Sequence, residues 1–282
     1  MSTIINTTIA CIGSGNMGFA LMKGVAAAVG GACIGFTDAD AGKAQEAAAS
    51  LGAVVYGSNT EAAEHGGFIF LAVKPQILAG VLGEIAPVVQ KRLAAGNAPV
   101  LVSMAAGWSI DAIQAAIANN AAGRVPVARI MPNTPALVSK GMIALAASPE
   151  LSGEGAAGLE SLLKRTGIVD RVDEKYLNAV TGLSGSGPAF VFQFIEALAD
   201  GGVLAGLPRD KALRYAAQTV YGSAAMTMET GRHPGELKDM VCSPGGTTIA
   251  GVAALEAGAF RSTVMQAVKS AWQRAEEMAH NK

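Results

Sequence analysis

Apolar residues follow two different rhythms along the chain. Up to about Gly167, short unbroken apolar runs alternate with longer Ala-rich stretches of mixed polarity. The runs at residues 8–13, 32–38, 53–56, 68–73, 100–104, 127–131 and 142–146 read as strands buried on both faces. Between them, residues 16–29 and 41–51 read as helices. Strands alternating with helices in this way indicate a doubly wound α/β domain with a mostly parallel sheet. A last run at residues 168–172 is placed to close that sheet.

Beyond it the strand signals stop. Pro188 opens a helical stretch toward Ala205, and Pro208 precedes another that runs to about Thr230. Residues 247–257 and 261–280 continue the helical pattern. The chain thus divides into an α/β domain, residues 1–170, and an all-helical domain, residues 171–282. The stretch from Pro188 is apolar nearly all round, through Phe190, Val191, Phe192, Phe194, Ile195, Ala197 and Leu198. Such a helix must be covered on most sides, by its own domain or by a second subunit.

Composition narrows the function classes. At 282 residues the chain has room for two domains of about 150 residues. Lys and Arg total 21 against 22 Asp and Glu, a net charge of −1 with no basic block, so no nucleic-acid or anionic-membrane partner is expected. Only 15% of residues are charged and 51% are hydrophobic, which excludes disorder and points to much hidden surface. No apolar run reaches the roughly 18 residues of a membrane helix. The N-terminal MSTIINTTIA lacks the basic and apolar regions of a signal peptide, so the cytoplasm is the expected compartment. Cys11, Cys33 and Cys242 read as free thiols without metal-ligand spacing. His65, His233 and His280 also lack partners at ligand spacing, and no metal is expected. Trp108 and Trp272 read as packing residues.

Gly13, Gly15 and Gly18 form the string GSGNMG, with a strand before it, a helix after it and Asp38 at the end of the next strand. In that context Gly13 allows a tight turn, Gly15 lets backbone approach a pyrophosphate, and Gly18 lets helix pack on strand. The helix N-terminus then binds the anion. Asp38 leaves two readings open. It accepts from the adenosine ribose, favouring NAD over NADP, or it points into solvent while Thr37 donates to a 2′-phosphate. Lys43 is the nearest cation. Further contacts are expected at the ends of later strands: Ala72, Val73, Lys74 and Pro75, then Met104, Ala105 and Ala106. Asn59, in the loop after the third strand, is placed on the adenine side.

Ser243, Pro244, Gly245, Gly246, Thr247 and Thr248 precede a helix. Adjacent glycines and hydroxyls there suit a small carboxylate. The same residues also suit an ordinary Ser/Thr helix cap. Cys242 beside them reads as a packed thiol.

KDMVCSPGGTTIAGVAALE (residues 238–256) resembles the signature of the pyrroline-5-carboxylate reductase family. GSGNMG, LAVKP (71–75), RIMPNTPALV (129–138) and AVTGLSGSGPAF (179–190) resemble the same family, in its order and spacing. The resemblance implies NAD(P)H-dependent reduction of 1-pyrroline-5-carboxylate to L-proline, the last step of proline biosynthesis. It implies a Rossmann-like N-terminal domain and an all-α C-terminal dimerisation domain, with homodimers often assembled into a larger ring. By position, Ile12, Gly13, Ser14, Gly15, Asn16, Met17, Thr37, Asn59, Ala72 to Pro75 and Met104 to Ala106 are then the dinucleotide contacts. Ser243, Gly245, Gly246, Thr247 and Thr248 are the substrate contacts, with Thr248 the hydroxyl near the ring nitrogen and the catalytic candidate. Glu174, where the helical domain begins, is a further substrate-side candidate. Two positions depart from the family pattern. Met240 stands where some members carry an Asn that reaches the ligands, and Asp38 stands where NADPH-preferring members often tolerate phosphate.

Two other functions fit parts of the chain. A β-hydroxyacid dehydrogenase shares the architecture and uses a helix Lys, which Lys175 with Asn178 imitates. A non-catalytic dinucleotide sensor needs the glycine loop but no carboxylate cradle.

Overall fold

The computed structural model describes residues 8–118 and 123–280. The N-terminal residues 1–7 and the side chain of His280 lie outside that description. The elements in order are β1 (Ile9–Ile12), α1 (Asn16–Val29), β2 (Ile34–Thr37), α2 (Ala41–Leu51), β3 (Val54–Val55), α3 (Asn59–His65) and β4 (Phe68–Leu71). α4 (Leu78–Ala94), β5 (Val100–Ser103), α5 (Ile110–Ile117), β6 (Val127–Met131), β7 (Gly141–Ala147), α6 (Gly153–Leu163) and β8 (Gly167–Arg171) follow. Each strand expected from the sequence is present, with its ends moved by at most two residues.

The eight strands form one sheet in the order β3-β2-β1-β4-β5-β6-β7-β8. All pairings are parallel except β6 with β7. The chain reverses direction across the sheet between β1 and β4, so their carboxyl ends open a crevice, the usual ligand position in such sheets. Successive residues of the central strands enter opposite cores. Ile9, Cys11, Phe36, Phe68 and Phe70 pack with α1, α2 and α6. Ala10, Ile12, Ile69, Leu71 and Leu101 pack with α3, α4 and α5. Phe36 and Phe70 are fully buried, each contributing about 1.5–3 kcal/mol over an exposed position.

Helix α3 lies where the sequence reading had a loop. Ser58 accepts from the Glu61 amide at 3.0 Å, capping its first turn, and Arg92 donates to the Ala63 and Gly66 carbonyls at its far end. These caps stabilise a helix too short to stand on propensity. Asn59 is therefore the first residue of a helix, which fixes its direction.

The rest of the chain is helical: α7 (Leu177–Val180), α8 (Gly187–Leu204), α9 (Arg209–Thr230), α10 (Pro234–Val241), α11 (Thr247–Ala257) and α12 (Phe260–His280). The chain forms two compact units, Met1–Gly185 with Ala271–Lys282, and Ser186–Ser270. This division falls at Gly185, whereas the sheet itself ends near the sequence-based boundary at residue 170. In the second unit α8 packs on α9 around Ala199, Ala212 and Ala216, and Phe194 meets Phe260 at 5.7 Å. Much of α8 is left uncovered within the chain, with Phe192 63% exposed and Leu204 91%. Among the described residues no helix is long and apolar enough to cross a membrane.

Candidate functional site

The GSGNMG turn sits at the crevice between β1 and β4. Gly13 adopts φ +99°, and a Cβ there would lie 2.7 Å from the Ala72 carbonyl oxygen. A Cβ on Gly18 would overlap the Gly13 carbonyl oxygen and crowd the Ala72 Cβ at 2.9 Å. Gly15 is the opposite case: a Cβ there would meet nothing within 4 Å. Gly15 is also the N-cap of α1, and no side chain caps that helix. The first turn of α1 therefore offers free amides beside open space, which fits a pyrophosphate.

A cavity of about 460 Å³ opens there. It brings together Ile12, Gly13, Gly15, Thr37, Asp38, Asn59, Ala72, Val73 and Lys74, nine of the expected dinucleotide contacts. Ser14 and Asn16 line a neighbouring cavity of about 420 Å³ with Lys43 and Glu46. Pro75 faces elsewhere, and Met17, Met104, Ala105 and Ala106 line none of these spaces. The sequence reading missed Ser58 and Glu84 on the cavity wall. Glu84 accepts from Asn59 Nδ2 at 2.8 Å. Ser58 was findable as the first residue of a Ser-x-x-Glu start signal, whereas Glu84 carries no local signal.

Asp38 does not point into solvent, contrary to one of its two readings. Its Oδ2 accepts from the Ser14 amide at 2.7 Å and the Ser14 hydroxyl at 2.9 Å, and Oδ1 accepts from the Asp40 amide at 3.0 Å. Desolvation alone would raise its pKa. The amides of Asp40 and Ser14, the Ser14 hydroxyl and Lys43 outweigh it and hold the carboxyl below the ordinary aspartate value. Burial pushes the Cys11 thiol up, with the Asp38 charge adding to it, so that thiol stays protonated.

A larger cavity of about 1100 Å³ is lined by Pro75, Trp108, Arg129, Glu174, Lys175 and Asn178, among others. Glu174 Oε1 accepts from Arg129 Nη1 at 2.6 Å and from the Ile110 amide at 2.7 Å. Lys175 pairs with Asp173 at 3.1 Å and sits over the Tyr176 ring. Trp108 donates to the Pro75 carbonyl at 3.0 Å and packs on the second core, whereas Trp272 is 41% exposed and donates to Glu276 rather than packing inside the chain.

The SPGGTT loop belongs to the helical unit. Gly245 adopts φ +67°, and the Gly246 amide donates to the Ser243 carbonyl at 3.1 Å. Gly246 is the N-cap of α11, with no side chain accepting from the first-turn amides. The ordinary Ser/Thr cap is therefore absent, and an anion can take those amides. Ser243, Gly245 and Thr247 are exposed, and Gly246 and Thr248 are half-buried. Met240 is exposed, its sulfur facing Arg232 Nη1 at 2.9 Å. His65 ends α3 and stacks on Tyr56, while His233 caps α10 by accepting from the Gly235 amide at 3.1 Å. The three cysteines are free thiols, and no metal-binding group of His, Cys, Asp or Glu occurs among the described residues.

Residues 174–278 match the family model described as pyrroline-5-carboxylate reductase dimerisation. Residues 8–107 match the model described as NADP oxidoreductase coenzyme F420-dependent. The chain is 39% identical over 274 residues to the pyrroline-5-carboxylate reductase of Escherichia coli, covering 96% of this chain and 98% of that protein. The chain belongs to the pyrroline-5-carboxylate reductase family. A Synechocystis reductase is 46% identical over 220 residues, 78% of each chain. The crystal structure of the Plasmodium falciparum pyrroline carboxylate reductase with NADP bound superposes with a TM-score of 0.84. It is 29% identical, and the match covers 98% of this chain and 99% of that one. The region that matches the dimerisation model includes α8, whose apolar face is left open within the chain.

Proposed function

We propose that this protein reduces 1-pyrroline-5-carboxylate to L-proline with a hydride from NADH or NADPH, the last step of proline biosynthesis. The observation that carries this reading is the match along 96% of the chain to a relative named for that reaction. The geometry agrees with it, through two helix N-termini, on α1 and α11, that no side chain caps.

The glycine loop and the first turn of α1 hold the pyrophosphate. Ala72, Val73 and Lys74, on the wall of the same cavity, lead the dinucleotide toward its nicotinamide half. A bound dinucleotide supplies the hydride. The remaining chemistry asks little of acids and bases, because a protonated cyclic imine already accepts hydride at C5. The SPGGTT amides of Ser243, Gly245 and Thr247 hold the substrate carboxylate, and the Gly246 amide closes the loop onto the Ser243 carbonyl. The Thr248 hydroxyl orients the ring nitrogen. Positioning of this kind supplies much of a rate enhancement without an essential His or Lys.

The helical unit pairs with a second copy as a homodimer, and dimers close into a larger ring. The cytoplasm is the working compartment, and neither nucleic acid nor membrane is a partner. The dehydrogenase alternative is disfavoured because Lys175 is tied to Asp173 rather than to Asn178. The sensor alternative gives no reason for an open cradle on α11.

Purified protein with 1-pyrroline-5-carboxylate should oxidise NADH, NADPH or both, yielding proline. A folded protein that binds dinucleotide but turns over neither would overturn the reading.

A further inference from the structure

The segment joining β2 to α2 has an unusual charge arrangement for the adenosine end of a dinucleotide site. Residues 34–51 hold three acids, Asp38, Asp40 and Glu46, against one cation, Lys43. The N-terminus of α2 would be a natural seat for a phosphate. It is already taken, because Asp40 Oδ1 accepts from the Gly42 amide at 3.0 Å and from the Lys43 amide at 3.4 Å. The Lys43 ammonium itself lies 3.8 Å from Asp40 Oδ2.

Asp38 is fixed as well as charged. A carboxylate has about four acceptor positions. Ser14 fills two on Oδ2 and the Asp40 amide fills one on Oδ1. What remains on Oδ1 can accept from a hydroxyl. A 2′-phosphate has no such proton to give and carries about two negative charges of its own.

We propose that Asp38, braced by Ser14, and Asp40, capping α2, set the dinucleotide preference, so that this reductase selects NADH over NADPH. The inference rests on the reading of the glycine-loop cavity as the dinucleotide site. An acid at the end of the second strand accepts from the ribose 2′-hydroxyl, and exclusion of the phosphate follows from like charge at close range.

Calorimetric titration of the purified full-length protein with NADH and NADPH, without substrate, tests it. The wild type should bind NADH at least about tenfold more tightly, a gap that narrows as ionic strength rises. Asp38→Asn keeps an acceptor for Ser14 but removes the charge, and should narrow the gap by strengthening NADPH binding. Asp40→Ser keeps a helix cap without charge and should shift the ratio the same way. It also carries the test if Asp38→Asn fails to fold. Equal or tighter NADPH binding by the wild type, or an unchanged ratio in both folded variants, would overturn the proposal. If imine reduction persists in that case, the functional reading survives. If the wild type binds neither dinucleotide, both readings fall together.

Discussion

Arg129 on β6 reaches Glu174 across 45 positions of sequence, Nη1 to Oε1 at 2.6 Å. The Arg129 side chain is 9% exposed, and the same Glu174 oxygen accepts the first amide of α5. One carboxylate thus ties a strand, a helix start and the segment after β8 together. Its removal leaves a guanidinium buried without its partner.

Glu174→Ala should therefore cost about 2–4 kcal/mol of stability, read by urea denaturation at fixed protomer concentration. Glu174→Gln keeps an acceptor and should lose less. If Glu174 is a brace, KM for the imine stays close to wild type in the Gln variant. A large rise in KM at unchanged stability would instead put Glu174 on the substrate.

Gly15 and Gly18 should separate binding from folding. Nothing within 4 Å of Gly15 opposes a Cβ, and its φ of −64° suits any residue. Gly15→Ala should leave the melting temperature within about 2 °C of wild type while weakening dinucleotide binding about tenfold, because the methyl group occupies the pyrophosphate approach. Gly18→Ala must push α1 off the Gly13 carbonyl and should destabilise by about 1–3 kcal/mol. Similar melting temperatures and similar affinities for the two variants would contradict this division.

Thr248 and Lys175 discriminate between imine reduction and hydroxyacid dehydrogenation. Thr248→Ala should lower kcat about 10- to 100-fold and leave NADH affinity unchanged, since the hydroxyl orients the reacting ring. Lys175→Ala removes a surface cation that pairs with Asp173 and lies over the Tyr176 ring, so kcat/KM should stay within about twofold. Full activity in the Thr248 variant, or a large loss in the Lys175 variant, would reverse the assignment.

Fully buried parallel strands are legible because they need unbroken apolar runs, and Ile9–Ile12 and Phe68–Leu71 supply them. Helices α3 and α10 were not read as helices, although Ser58 with Glu61, and His233 with Pro234, carry their start signals. Their amphipathic pattern spans too few residues to show a period. The glycine loop was legible through its spacing and its flanking elements. The clasp of Asp38 on Ser14 was not, because sequence spacing does not say whether a side chain turns outward or back onto the neighbouring loop. Arg129 with Glu174 was hidden for a related reason: only the sheet order brings them together.

The Asp38 clasp makes its own acid signature. Its folded-state pKa is depressed, so between that value and the ordinary aspartate pKa of about 3.9 the folded chain holds fewer protons than the unfolded one. The stability it contributes is complete above about pH 4 and is lost as pH falls through the depressed pKa. Asp38→Asn lacks the charge at every pH and serves as the reference. The wild type should melt at a higher temperature than the variant near neutrality, and the difference should shrink as pH drops below about 4. Scanning calorimetry across that range measures both curves. A difference that stays constant into acid would mean that Ser14 and Asp40 hold the side chain by shape and hydrogen bonding alone, with no preference for the ionised form.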